Sequence, residues 1–358
     1  MDAATLRSEF PVCETRAYLN AGTCGPLPRA ATKASVETAE HAAAEGRASG
    51  YYERFMEARG ELRERYAGVL GASPEDVAVT TSTSEGIARV LVGLDLREGD
   101  EVLTAELEHP GLHGPLIAAR ERFGITIREV PLSRLADEAT ASTKLIACSH
   151  VSWTDGALAP PLHDVGREIP VLLDAAQGAG AIPVDLDALG CAFYAASGQK
   201  WMCGPVGTGM LWIAPRWRDA VAPALPVYAN LEDTSKGLAT RPWPDARAHD
   251  AGSIPLESVE ASIAAHDVLA AFGWDAVHER AATLAEQLAA MLRDAGREVL
   301  ARGRTTLVSW RSEDAEAEAL RAREQGVIVR HFPGLPFVRA SVGAWNDESD
   351  LERLVALA

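Results

Sequence analysis

An acid, an amide and an amine fall at the ends of two apolar runs in this chain. Asp174 closes Pro170-Val-Leu-Leu within Val171-Leu-Leu-Asp-Ala-Ala-Gln-Gly-Ala-Gly180, which also carries Gln177. Lys200 follows Cys191-Ala-Phe-Tyr-Ala-Ala, within Ala195-Ala-Ser-Gly-Gln-Lys-Trp-Met-Cys-Gly-Pro205. Each run reads as a strand buried on both faces. In a parallel sheet both would end at the carboxyl edge, where open α/β folds bind their ligands. An aldehyde cofactor held by a lysine imine, with an aspartate pairing its pyridinium nitrogen, requires this pair of groups.

Other residues could serve the same chemistry. Thr81-Ser-Thr-Ser-Glu-Gly86 lies between a strand-like and a helical run. Its hydroxyls (Ser82, Thr83, Ser84) and free N–H groups at a helix start favour a phosphate, although a plain Ser/Thr N-cap explains the pattern equally well. His109, in Glu108-His-Pro110, could stack on a flat aromatic cofactor or be an ordinary loop histidine. His109 and His113 are spaced for a metal pair on a helix, but Pro110 and Gly111 argue against that helix, so no metal site is expected. Gly204-Pro-Val-Gly-Thr-Gly209 leads into a strand, which rules out a dinucleotide loop and suggests a turn beside the lysine. Arg330 and Arg339 could each hold a substrate carboxylate or make a surface ion pair.

The elements that must position these groups alternate. Residues 29–70 are helical in spacing, with a break near Gly50-Tyr-Tyr. Strand-like runs begin at Asp76, Glu101, Ile125, Lys144, Val171, Phe193 and Gly209, with helical stretches at Glu85 and Gly114. This rhythm predicts an α/β fold with a mostly parallel seven-stranded sheet covered by helices on both faces. The stretch Pro223 to Pro244 reads as a functional loop that joins Thr23 and Trp153 around the substrate pocket. Beyond residue 261, a helix over Ala281 to Leu292, a strand at Thr305, Val327-Ile-Val-Arg, Phe337-Val-Arg-Ala-Ser-Val and a last helix predict a small α+β domain. The expected division is an N-terminal segment 1–28 that serves the active site and the small domain, a large cofactor-binding domain 29–260, and a small domain 261–358.

Composition limits the function classes. A length of 358 residues with 47% hydrophobic side chains supports a sizeable core. A formal charge of −17 without a basic block argues against nucleic acid as partner. No apolar run is long enough to suggest a membrane span, and the first residues lack a signal-peptide core. The five cysteines are scattered, none in CxxC spacing, which fits a reducing compartment, so a cytoplasmic location is expected.

Together these residues resemble the class V aminotransferase family of fold-type I pyridoxal-phosphate enzymes, which includes cysteine desulfurases and isopenicillin-N-epimerase-like proteins. The resemblance runs from Tyr18-Leu-Asn-Ala-Gly-Thr-Cys-Gly-Pro-Leu-Pro28 to Arg339-Ala-Ser-Val-Gly-Ala-Trp-Asn-Asp347. It implies pyridoxal 5'-phosphate as cofactor, Lys200 as imine lysine, Asp174 as pyridinium partner, Gln177 near the phenolic oxygen and His109 on the ring. Ser82, Thr83, Ser84, Ser197 and Gln199 match phosphate contacts, with Gln199 standing where many relatives have histidine. Ser253, after Gly252, resembles a residue that reaches the neighbouring subunit's phosphate, which implies a homodimer with active sites at the subunit interface. Arg339 matches the arginine that binds the substrate carboxylate, and Arg330, Trp153, Asn20 and Thr23 complete the expected pocket.

Two departures narrow the expected activity. The last cysteine is Cys203, so the small-domain nucleophile of cysteine desulfurases is missing between residues 261 and 358. Trp153 stands where the family often has Asn. With the Cys203-Gly-Pro after the lysine and the arginine pair, this resembles the cystine C–S lyases. The expected reaction is β-elimination at a Cβ–S bond of an amino acid, with Lys200 as general base. Transamination and epimerisation are the enzymatic alternatives, and a non-catalytic regulator on the same fold is the remote one.

Overall fold

The computed structural model describes residues 1–357. Its large sheet holds β1 (Val77–Thr80), β2 (Glu101–Ala105), β3 (Thr126–Val130), β4 (Thr143–Ser149), β5 (Val171–Asp174), β6 (Phe193–Ser197) and β7 (Gly209–Ile213). The spatial order is β1-β7-β6-β5-β4-β2-β3, with β7 antiparallel to both of its neighbours and all other pairs parallel. All strands except β7 therefore end at one edge. The reversed β7 explains why its Gly-rich approach is a turn.

Side chains alternate across the sheet, as the pleat requires. Val77, Leu173 and Tyr194 join one buried cluster, whereas their neighbours Ala78, Leu172 and Phe193 join the other. Helix α1 is Arg29–Glu45 and α2 is Ser49–Leu70; α2 supplies Phe55, Leu62 and Tyr66 to the first cluster. Helices α3 (Thr83–Gly93) and α4 (Pro110–Phe123) supply Ile87, Val90, Leu112 and Leu116 to the second. The fold is thus a doubly covered α/β sheet.

Some local expectations are corrected. The break between α1 and α2 falls at Gly46, whose φ of 77° suits glycine, and Gly50 lies in the first turn of α2. Pro110 does not prevent a helix; it starts one, because a first-turn proline sacrifices no helical hydrogen bond. Val327-Ile-Val-Arg is not one strand but parts of two, belonging to different sheets.

Helix α5 (Leu256–Phe272) runs unbroken through the expected border at residue 260 and packs on α1 and α2. After α6 (Trp274–Asp294) comes a three-stranded antiparallel sheet: β8 (Leu307–Arg311), β9 (Arg330–Phe332) and β10 (Leu335–Ser341), with β10 central. Helices α7 (Ala315–Glu324) and α8 (Glu348–Val355) complete this unit. The N-terminal segment belongs to it physically: Ala17–Tyr18 pairs in parallel with Val327–Ile328, and the Arg7 guanidinium donates to both Asp350 oxygens at 2.7 and 3.1 Å. Among the described residues no helix is long and apolar enough to cross a membrane.

Asp250 fastens the 250–253 segment to the sheet. It accepts from the Val79 N–H at 2.8 Å and from two Arg63 nitrogens at 2.9 and 2.7 Å, all buried. Asp250→Ala strands the Arg63 charge and should lower stability by about 3–5 kcal/mol. Asp250→Asn, which retains an acceptor, should lose less. Urea midpoints at unchanged slope provide the check; equal midpoints for wild type and the alanine variant would remove this pair from the fold's supports.

Candidate active site

Five strand ends meet at the carboxyl edge. After β1, Ser82 is the N-cap of α3, and its hydroxyl accepts the Glu85 N–H at 3.2 Å. The Thr83 N–H donates to Ser197 Oγ at 3.0 Å, and the two hydroxyl oxygens lie 2.7 Å apart. Three of the expected phosphate-binding hydroxyls are thus engaged within the chain. Ser84, half-buried, and Gln199 complete the group. Gln199 Oε1 is buried with no hydrogen-bond partner among the described residues. A helix N-terminus suits an oxyanion, and the Gln199 amide would donate to it when turned to present Nε2 in place of Oε1.

Asp174, at the end of β5, is buried and accepts the Ala176 N–H at 3.0 Å. Burial pushes its carboxyl up, against the pull of Lys200. Burial pushes the Lys200 amine down to about 8; Asp174 opposes this, whereas Arg339 and Arg330 add to it. The lysine is therefore close to the point where it can both give and take a proton at neutral pH. Gln177 is held at both ends: its Nε2 donates to the Gly22 carbonyl at 2.8 Å, and its Oε1 accepts from Trp201 Nε1 at 3.0 Å.

The turn after Lys200 is tight. The Cys203 N–H donates to the Lys200 carbonyl at 3.2 Å, and Cys203 has a φ of 55°, unusual for a residue with a side chain. Gly25 passes directly over it: a Cβ there would collide with the Lys200 carbonyl oxygen. The N-terminal segment thereby also brings Cys24 within electrostatic range of Lys200 and Arg330. Sequence reading, which had only the scattered positions of the cysteines, gave Cys24 no place in the site.

One wall is aromatic. The Trp153 ring meets His109 edge-on at 4.9 Å and Phe332 edge-on at 4.8 Å, and its indole N–H donates to the Leu107 carbonyl at 2.7 Å. His109 caps α4 through Nδ1, which accepts the Gly111 N–H at 2.9 Å, so any proton on the ring resides on Nε2. Burial, then the Lys200 charge, pushes its pKa down to about 4, leaving it neutral at physiological pH. Phe332 was not singled out from the sequence; only its place two residues after Arg330 hinted at it.

Arg330 and Arg339 face one another as register partners of the β9–β10 hairpin. Arg339 is 1% exposed; its Nη1 donates to the Trp153 carbonyl, and its Nε finds no partner among the described residues. Burial, with Arg330 adding, drives the Arg339 guanidinium well below its ordinary range. A guanidinium keeps its proton in proteins, so this strain is expressed as affinity for an anion. Arg330 Nη1 donates to Thr23 Oγ1 at 3.0 Å, and Thr23 in turn donates to Asn20 Oδ1 at 2.8 Å. Gly22 makes room for this cluster: a Cβ there would lie 2.8 Å from Arg339 Nη2 and 2.7 Å from Ser341 Oγ.

The Ser253 segment and the 223–244 loop make contacts with their own part of the chain and with α2. Ser253 is exposed on the segment whose Gly252 carbonyl accepts from Arg59 at 2.7 Å. The 223–244 loop is fastened by Asn230 Nδ2 to the Arg247 and Asp250 carbonyls at 2.9 and 3.1 Å, and Tyr228 lies 6.2 Å from Tyr52. Among the described residues no group of three His, Cys, Asp or Glu side chains could hold a metal ion.

Comparison with known proteins agrees with this arrangement. A probable cysteine desulfurase of Methanothermobacter thermautotrophicus is 32% identical over 254 residues, 66% of this chain and 62% of that protein, so the match spans less than two thirds of the relative. Isopenicillin N epimerase of Streptomyces clavuligerus is 27% identical over 94% of this chain and 92% of its own. Two solved structures of C-DES match at TM-scores of 0.92 and 0.90 with 26% identity, and each alignment covers at least 97% of both chains. One is a lysine-to-alanine mutant with glycine covalently linked to the PLP cofactor; the other is described as the cystine C–S lyase with its reaction product cysteine persulfide. The class-V aminotransferase profile matches residues 17–354, nearly the whole length, and the chain belongs to that family.

Proposed function

We propose that this protein is a pyridoxal-phosphate enzyme that cleaves the Cβ–S bond of a sulfur-containing amino acid, with a disulfide such as cystine as substrate. The observation that carries the reading is the opposition of Lys200 and Asp174 at neighbouring strand ends, beside two guanidiniums with no carboxylate partner among the described residues. The donor set fits the cofactor. Asp174 is a buried carboxylate whose described donor is one backbone N–H, which leaves room for a pyridinium nitrogen. Ser84, Gln199 and the start of α3 would take the phosphate, with Ser82, Thr83 and Ser197 shaping the turn. His109 would cover the ring and Gln177 would face its phenolic oxygen. When bound, pyridoxal phosphate supplies an electron sink for negative charge left at the substrate's α-carbon.

The chain's own groups do the rest. Arg339 binds the α-carboxylate, relieving the cost of its own burial. Arg330, oriented by Thr23 and Asn20, meets a second carboxylate, which cystine has and a simple thioether amino acid lacks. Trp153 and Phe332 exclude water from the reacting carbon. Lys200 removes the α-proton and can return one, a task suited to an amine with a pKa of about 8. Departure of sulfur as a persulfide requires no protein thiol. The reading includes a cytoplasmic homodimer in which the exposed Ser253 reaches the neighbouring copy's phosphate.

Three variants test this. Lys200→Ala should reduce pyruvate release from cystine by at least about 100-fold, the scale of a lost general base; wild-type rates in that variant would overturn the assignment. Arg339→Met should weaken kcat/KM by about 1.5–3 kcal/mol, chiefly through KM. Arg330→Met should penalise cystine while sparing S-methylcysteine, which has a single carboxylate. Equal losses on both substrates would deny Arg330 the distal carboxylate. If wild type releases no pyruvate and consumes cystine only when a keto acid is supplied, returning the sulfur-bearing keto acid, the protein is a transaminase instead.

A further inference from the structure

The loop between β2 and α4 is inverted in polarity. Leu107, apolar, is 60% exposed, whereas the next residue, Glu108, is only 4% exposed. The inversion is made by Leu107 itself, which has a φ of 60°, a strained conformation for a residue with a branched side chain. With Leu107 turned outward, its carbonyl accepts the Trp153 indole N–H, and Glu108 turns in against β4. One Glu108 oxygen accepts the Ser149 N–H at 2.8 Å, and the other is in a short contact with Ser149 Oγ. Ser149 is the register partner of Asp174, and His109 is the next residue along the loop. A buried acid, an exposed leucine and backbone strain, all within two residues, are not what packing alone selects.

We propose that Glu108 is a positioning residue: buried and bonded at both oxygens to Ser149, it fixes the loop that carries His109 and receives Trp153. The placement of the loop stands on hydrogen bonds alone, whereas the benefit to cofactor and substrate rests on the function proposed above. Ser149 donates both its N–H and its hydroxyl to the two Glu108 oxygens, so one side chain holds the loop to β4 at two points. Titratable groups around it are Asp174 from β5, Cys148 from β4, His109 on the same loop, and Glu106 and Asp155, which line a small cavity beside it. Burial raises the Cys148 thiol well above its usual value, and His109 is neutral, so neither offers a compensating cation. Consistent with this, burial raises Glu108 to about 7, with Asp174 adding and the two Ser149 bonds opposing. The acid is therefore neutral below about pH 7 and acquires a charge above it.

The test uses holoenzyme of the wild type, Glu108→Gln, Glu108→Ala and Ser149→Ala. Infrared difference spectra against pH should show a protonated-carboxyl band in the wild type that disappears with a midpoint near 7. The band should be absent from Glu108→Gln. In Ser149→Ala the midpoint should rise, because the bonds that favour the charged form are weakened. Glu108→Gln, which keeps an acceptor and a donor, should retain most of the turnover, whereas Glu108→Ala should lose kcat on the order of 100-fold through misplacement of the His109 loop. Persistence of the band in Glu108→Gln, or wild-type kcat in Glu108→Ala, would overturn the inference. If an alanine variant fails to fold, the glutamine spectrum decides alone. A wild type without cofactor or turnover would refute the proposed function, while the infrared titration would still answer for Glu108.

Discussion

Asp174 and Lys200 attract one another across the ends of two neighbouring parallel strands, and the organisation of the site follows from keeping that attraction dry and aligned. Parallel pairing of β5 and β6 sends both strand ends to the same edge. Residues buried on both faces of these strands keep water away from the sheet, so opposite charges there interact more strongly than at a surface. The acid is pushed up and the amine down by the same desolvation.

A second constraint comes from the other end of the chain. Arg339 is a cation placed in the interior by β10, with a backbone carbonyl in place of a counterion. Burying such a charge without a carboxylate is expensive. Around it the Trp153 carbonyl accepts from the guanidinium, the Phe332 ring centre lies 5.1 Å away, and Gly22 spares it a crowding Cβ. The two halves of the site thus obey different physics: the seven-stranded sheet holds a balanced charge pair, and the three-stranded sheet holds a cation without a described counterion.

Much of the first half was legible in the residues. Continuous apolar runs ending in Asp174 and near Lys200 signalled doubly buried parallel strands, and the Ser/Thr cluster before Glu85 signalled a helix start. The second half was less legible, because its contacts depend on side chains far apart in sequence. The Arg330–Thr23 bond joins residues separated by 307 positions, and Arg339 reaches Trp153 across 186. Arg330 and Arg339 were both noticed, but their direct opposition depends on the Gly334 turn, which has a φ of 80° and reverses the chain between them. Pro110 misled because its usual effect inside a helix was applied at a position where proline starts one. Cys24, Phe332 and the inward turn of Glu108 left no local periodicity to read, since each is set by tertiary packing.

The parallel pairing of Ala17–Tyr18 with Val327–Ile328 orders events in time. During synthesis the sheet that carries Asp174 and Lys200 can close while the last hundred or so residues are still being added, since domains fold as units from the N-terminus onward. The N-terminal segment meanwhile waits for a strand that does not yet exist. The arginine cluster can assemble only when the end of the chain returns to its beginning, a closure of high contact order and hence slow. The Asp174–Lys200 end of the sheet is therefore built before the arginine pair, and a nascent chain passes through a stage that has the first without the second.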